Sequence, residues 1–178
     1  MPADPHGHLP RLPDAAYVGR VFVHWSMTIH DRAADWLTAE FHLRFRAILT
    51  RNAERYRVVV PAYCLMPDHF HVLSAGVTNT SAHVLWSRST RRRSNEVLAP
   101  RRLQKQAHDR VLRPSESGRE AFASLVSYIC QNPVRAGLVS RPEEWPFIGS
   151  VVPDLPELDP RHDEFSEEWW RYWNALSE

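Results

Sequence analysis

The chain has 178 residues, 43% of them apolar, and a formal net charge of +1, values that fit one globular domain with a real core and exclude global disorder. No apolar run approaches membrane-spanning length, the start Met1-Pro2-Ala3-Asp4-Pro5 lacks signal-peptide character, and Cys64 and Cys130 form neither a CxxC pair nor a disulfide framework. A cytoplasmic protein with reduced thiols and no membrane partner is expected.

In chain order, residues 1–17 read as a flexible, Pro-rich leader, in which His6 and His8 carry no functional argument. Arg20 to Thr28 alternates as a strand with Val21, Val23, Trp25 and Met27 on one side; Asp35 to Glu54 is helical, with Trp36, Phe41, Phe45, Ile48 and Leu49 available for packing. Arg57 to Leu65 is a β-branched strand, joined through Met66-Pro67-Asp68 to a partner strand that begins at His69. A basic helix follows around Ser81 to Leu98, then a strand near Asp109 to Leu112, then a helix from Ala121 to Gln131. This βαββαβ order predicts an α+β domain over 18–150 with a ferredoxin-like antiparallel sheet and helices on one face. Residues 151–178 read as an acidic, aromatic tail whose Trp169, Trp170, Tyr172 and Trp173 pack against the body; the alternative is an acidic, aromatic flap over a binding groove.

The run Met66-Pro67-Asp68-His69-Phe70-His71-Val72-Leu73 puts two histidines two residues apart on a strand. Side chains alternate along a strand, so His69 and His71 share one face while Phe70 and Val72 share the other. Two imidazoles aimed at one point suit two ligands of one metal ion. By spacing alone the commoner meaning is a half-exposed face or a satisfied core pair.

About sixty residues later, Phe122, Leu125, Val126 and Ile129 make the apolar stripe of the Ala121–Gln131 helix. Pro133 disfavours helical geometry at Asn132, and Gly137 supplies a turn. Tyr128 and Asn132, four residues apart, project from one face of the last turn if the helix persists that far. A tyrosine on such a helix usually packs with its hydroxyl at the rim, and an asparagine before proline is an ordinary helix terminator.

The near-neutral charge hides strong segregation. Arg88, Arg91, Arg92, Arg93, Arg101, Arg102, Lys105, Arg110 and Arg113 share residues 88–113 with only Glu96 and Asp109 as acids, while the tail holds Asp154, Glu157, Asp159, Asp163, Glu164, Glu167, Glu168 and Glu178. The basic stretch is either a solvated helix face or a nucleic-acid footprint. Trp86 is available for stacking on bases or for the core.

Met-Pro-Asp-His-Phe-His-Val-Leu at 66–73 and Tyr-Ile-Cys-Gln-Asn-Pro-Val-Arg-Ala-Gly-Leu-Val at 128–139, in this order, resemble the REP-associated tyrosine transposases, relatives of the single-tyrosine HUH transposases of bacterial insertion sequences. The segment Leu103 to Leu112 is similar to the strand that precedes the tyrosine helix in that family, and the resemblance spans roughly Val18 to Ser150. It implies the same fold. It also implies that His69 and His71 bind Mg²⁺ or Mn²⁺, that Tyr128 is the nucleophile, and that Asn132 is the third metal ligand, with neighbouring Gln131 ranked second. The implied partner is single-stranded or hairpin DNA from palindromic repeats, bound by a nucleoid-associated monomer or homodimer. Arg88, Arg91, Arg92, Arg93, Arg101, Arg102, Lys105 and Arg135 are the expected DNA contacts.

Three functions are weighed on this basis. The first is a metal-dependent single-stranded DNA endonuclease and strand transferase that passes through a 5′-phosphotyrosine. The second is a catalytically retired protein that binds hairpin DNA as a regulator. The third is an unrelated metal hydrolase using water as nucleophile.

Overall fold

The computed structural model describes residues 12–112 and 118–176; His6, His8, Arg113 and Glu178 lie outside the described residues. Five strands form one antiparallel sheet in the order β4-β1-β3-β2-β5. They are β1 (Phe22–Thr28), β2 (Val58–Leu65), β3 (His69–Gly76), β4 (His108–Val111) and β5 (Ile148–Val151). The helices are α1 (Ala39–Tyr56), α2 (His83–Leu98), α3 (Arg119–Cys130), the single turn α4 (Asn132–Arg135) and α5 (Phe165–Ala175). Up to β4 the elements follow the expected βαββαβ sequence of strands and helices, less its closing detail at the ends.

Alternation along β1 and β3 divides the core in two. Val23, Trp25, Met27, Phe70 and Val72 pack with Phe41, Phe45 and Leu49 of α1 and with Trp86 and Leu98 of α2. On the opposite face Phe22, Leu73, Ala75, Ala62 and Cys64 pack with Phe122, Val126 and Ile129 of α3 and Trp169, Trp170 and Trp173 of α5. Helices therefore cover both faces of the sheet, which corrects the expectation of one helical face. The physical reason is visible in β2, which is buried at every position from Val58 to Leu65: a strand without a polar side must be covered twice. Trp86 is fully buried and belongs to the core.

Several boundaries move for local reasons. Helix α1 starts at Ala39 rather than near Asp35, because the Thr38 hydroxyl caps it by accepting from the Phe41 amide at 3.1 Å. Asn132 opens the extra turn α4 instead of simply ending α3, and the Gly137 turn follows at φ +69°. Strand β5 is not foreseen. It is four residues long and contains Gly149, where a Cβ would stand 2.7 Å from the Tyr63 hydroxyl, so it lacks the β-branched alternation that marks a strand. Among the described residues no helix is long and apolar enough to cross a membrane.

Helix α5 fixes α3 in place. The Trp169 ring stacks on Phe122 of α3 with centroids 5.4 Å apart and planes 6° apart, and Trp173 packs on Phe22 of β1 at 4.6 Å. Trp169→Ala should lower unfolding free energy by about 3–5 kcal/mol in chemical denaturation; a loss below ~1 kcal/mol would show that this contact does not anchor the helix.

Candidate active site

His69 and His71 lie on the α3 face of β3, opposite Thr28 and Ser26 of β1. Their Nε2 atoms are 3.1 Å apart. On the other side of each ring sits a different partner. The Nδ1–H of His69 donates to Asp68 Oδ1 at 2.6 Å, and Arg32 bonds the second carboxylate oxygen at 2.7 Å. His71 Nδ1 faces Nε2 of His24 from β1 at 3.1 Å, with the two rings stacked at 5.2 Å.

Burial, reinforced by Arg110, holds His24 down at about 4. Burial, together with His24, His69 and Arg135, holds His71 down at about 3. Both rings are neutral at neutral pH, the form that keeps a lone pair for a cation.

The residues present fit a divalent ion. Two nitrogen ligands at ~2.1 Å and a right angle from one ion stand about 3 Å apart, which matches the Nε2 separation of 3.1 Å. His24 is not a third ligand of that ion, because its Nε2 addresses the back nitrogen of His71. Among the described residues no group of three or more His, Cys, Asp or Glu side chains is arranged to hold a metal. A site of two imidazoles completed by neutral oxygens suits Mg²⁺ or Mn²⁺ better than a closed zinc centre, and the imidazoles favour Mn²⁺.

Helix α3 crosses this face and brings Tyr128 over the histidines. Its ring centroid lies 5.8 Å from His71 and 6.2 Å from His24, edge-on to both, and the side chain is 40% exposed. The Arg135 guanidinium lies over the Tyr128 ring at 4.8 Å. Beside it runs a groove of about 460 Å³ lined by Tyr128, His24, Arg110, Leu112, Ala121, Ser124 and Leu125. The Asn132 amide nitrogen donates to the carbonyls of Tyr128 at 2.9 Å and Ile129 at 3.3 Å. These bonds leave its Oδ1, the atom able to ligate a cation, uncommitted to them. Gln131 is exposed and its backbone amide continues the helix to the Ser127 carbonyl.

The expected basic contacts fall in different places. Arg88, Arg91, Arg92 and Arg93 belong to α2, on the face of the sheet opposite His71 and Tyr128. Arg91 bonds the Gln104 carbonyl, and Arg92 pairs with Glu96 at 2.8 Å. Arg101 holds Asp35 through two bonds of 3.0 and 2.7 Å. Arg102 and Lys105 are exposed on the segment that bonds the end of β1, where His30 N donates to the Arg102 carbonyl and Gln104 N to the Thr28 carbonyl. Only Arg135 of the expected set touches Tyr128.

Sequence reasoning assigned no role to His24, Asp68, Arg32 or Arg110 at the site. His24 carried a usable signal, since it alternates away from the apolar face of β1 and β1 neighbours β3 in a ferredoxin-like sheet. Arg110 pairs with His24 across β4 in the same way. Arg32 carried none, because a turn places it.

No protein-family model matches the chain. A Haemophilus influenzae protein assigned by name to the REP-associated tyrosine transposases is 23% identical over 134 residues, covering 69% of this chain and 76% of that protein. Among solved structures, that of a REP-associated tyrosine transposase bound to a REP hairpin superposes with a TM-score of 0.65 at 17% identity, covering 79% of this chain and 81% of the other. A bacterial tRNA(His) guanylyltransferase-like protein in complex with GTP shares the fold more loosely, with a TM-score of 0.50 at 11% identity over 92% of this chain and 95% of the other. The sequence match, together with the fold, bears out the resemblance carried by the two motifs: this chain is similar in sequence to a protein named as a REP-associated tyrosine transposase and similar in fold to another.

Proposed function

We propose that this protein is a metal-dependent single-stranded DNA endonuclease and strand transferase that acts at hairpin-forming repeats through a 5′-phosphotyrosine. The observation that carries the reading is the meeting of Tyr128 with the histidine pair, its ring 5.8 Å from His71, whose Nε2 is 3.1 Å from that of His69. Hairpin DNA as substrate is supported by the relative whose structure was solved with a REP hairpin.

In this reading Tyr128 Oη attacks the scissile phosphorus; the Oη–P bond forms and the P–O3′ bond breaks. The phenol gives up its proton, the departing 3′-oxygen gains one, and the 5′-phosphate remains on Tyr128. A free phenol, with a pKa near ~10, is a weak nucleophile at neutral pH. The Arg135 guanidinium over the ring offsets negative charge as it builds during the attack. His69 and His71, with Asn132 as third protein ligand, would hold Mg²⁺ or Mn²⁺, which when bound supplies charge neutralisation at the phosphate oxygens. The phosphotyrosine keeps a reactive ester, so strand joining needs no nucleotide cofactor.

Tyr128→Phe should retain hairpin binding and lose cleavage by ~10³-fold or more in a gel assay with Mn²⁺. Continued nicking by that variant would transfer the site to water-based hydrolysis, whereas hairpin binding by wild type with no cleavage in any metal would favour the retired, binding-only protein. His69→Ala should abolish calorimetric Mn²⁺ binding with the fold intact, since a partly exposed ligand adds little to the core; undiminished Mn²⁺ binding would remove the metal role.

The arginines on α2 and near Tyr128 make separate contributions to DNA affinity. Arg135→Ser should lower the slope of log affinity against log salt by about 0.7–0.9, the value of one phosphate contact. Arg91, Arg92 and Arg93 changed together to serine should lower it further; an unaltered slope would mean that α2 faces solvent away from the DNA.

A further inference from the structure

The geometry points to Asp68 and His24 as the positioning residues of the histidine pair: each holds the back nitrogen of one imidazole, so that both Nε2 lone pairs converge on one point. This deepens the metal-site reading above and rests on it.

A neutral imidazole carries one N–H and one lone pair, and which nitrogen has which is set by the partner of the other. The Asp68 carboxylate can only accept, so its 2.6 Å contact requires a proton on Nδ1 of His69 and leaves Nε2 with the lone pair. Arg32 donates to the other carboxylate oxygen at 2.7 Å and holds the carboxylate in that orientation. On the second ring, Nδ1 of His71 faces Nε2 of His24 at 3.1 Å, so that His24 can accept the proton of His71 on Nδ1 and turn the Nε2 lone pair toward its neighbour. In that tautomer two lone pairs stand 3.1 Å apart and need a cation between them; without one, His71 satisfies the same contact by donating from Nε2 to His69. Asp68 thus fixes one lone pair and His24 offers the acceptor that frees the second when a cation arrives, neither of which the His-x-His spacing alone provides.

The surroundings hold Asp68 from several sides. The Ile29 amide donates to the Asp68 carbonyl at 2.9 Å, and the Trp36 indole N–H donates to the Pro67 carbonyl. Asp31 and Arg32 both adopt left-handed backbone, at φ +58° and +49°, and Arg32 thereby reaches Asp68. Consecutive non-glycine residues persist in that conformation only where contacts hold them. His24 is fixed by its place in β1 between Arg110 of β4 and Leu73 of β3. A purely structural ion pair at Asp68 would have no need to select a tautomer.

The test is ¹⁵N NMR of the imidazole nitrogens of the full chain at neutral pH, first metal-free and then with Mg²⁺, alongside calorimetric Mn²⁺ affinity and the thermal midpoint. Wild type should carry the proton of His69 on Nδ1 in both states, and that of His71 on Nδ1 once Mg²⁺ is added. Asp68→Ala should shift His69 toward the Nε2–H tautomer and weaken Mn²⁺ binding 10- to 100-fold, the usual effect of losing a partner behind a ligand, with little change in midpoint. Asp68→Asn, which keeps an acceptor, should restore most of both. His24→Ala should weaken Mn²⁺ binding by a similar factor, with His24→Asn as its restoring variant. A wild-type His69 protonated on Nε2, or unchanged tautomers and affinity in both alanine variants, would overturn the proposal. If wild type binds Mn²⁺ no better than His71→Ala, the metal reading fails by itself, and the metal-free tautomer of His69 alone then decides whether Asp68 positions it.

Discussion

Antiparallel pairing of β1 with β3 determines which side chains meet in this protein, and both the core and the site follow from it. The register sets Ser26 opposite His71 and His24 opposite Leu73. Because side chains alternate, the same register that sends Trp25, Met27, Phe70 and Val72 into the α1–α2 core sends His24, His69 and His71 to the α3 face. A one-residue slip would exchange the two sets and bury three imidazoles among aromatic rings. The slip is opposed by the Trp25 indole, which is fully buried and donates to Ser74 of β3 at 2.9 Å.

The second core connects the tail to the chemistry. Helix α3 carries Tyr128 on its exposed side and Phe122, Val126 and Ile129 on its buried side, so its position depends on what packs beneath and behind it. Much of that packing is the tryptophan face of α5. The acids of the tail point outward on the same helix, with Glu167 and Glu168 exposed. Positive groups reach the site as single arginines from separate elements, Arg32, Arg110 and Arg135. The basic run contributes Arg110, and the fold brings the other two from outside it.

Much of this was legible before folding. His69 and His71 face the same way because strand alternation is rigid, and Tyr128 occupies the helix position that its apolar neighbours define. The antiparallel α+β class followed from element order. What escaped is what tertiary contact decides. Packing of the aromatic tail on the body was expected, but not that α3 and α5 would share the face opposite α1 and α2, although the unbroken apolar run of β2 implied a second cover. The placement of Arg91, Arg92 and Arg93 on the face away from Tyr128 depends on which side α2 packs, and charge counting along the chain is blind to sidedness. Asp68 stood inside the histidine motif with no signal separating a turn residue from a partner of His69. Asn132 appears here as a cap on the last carbonyls of α3, a use that the proline after it conceals.

The central claim is that Tyr128 and the histidine pair form one reactive site, and a covalent product is its most direct signature. Residues 120–135, a tryptic fragment bounded by Arg119 and Arg135, contain Tyr128 as their sole tyrosine. Wild-type protein incubated with Mn²⁺ and a hairpin oligonucleotide, digested and mapped by mass spectrometry, should yield this fragment with nucleotide attached through its tyrosine. Cleaved DNA accompanied by an unmodified 120–135 fragment, or by nucleotide on another residue, would contradict the account.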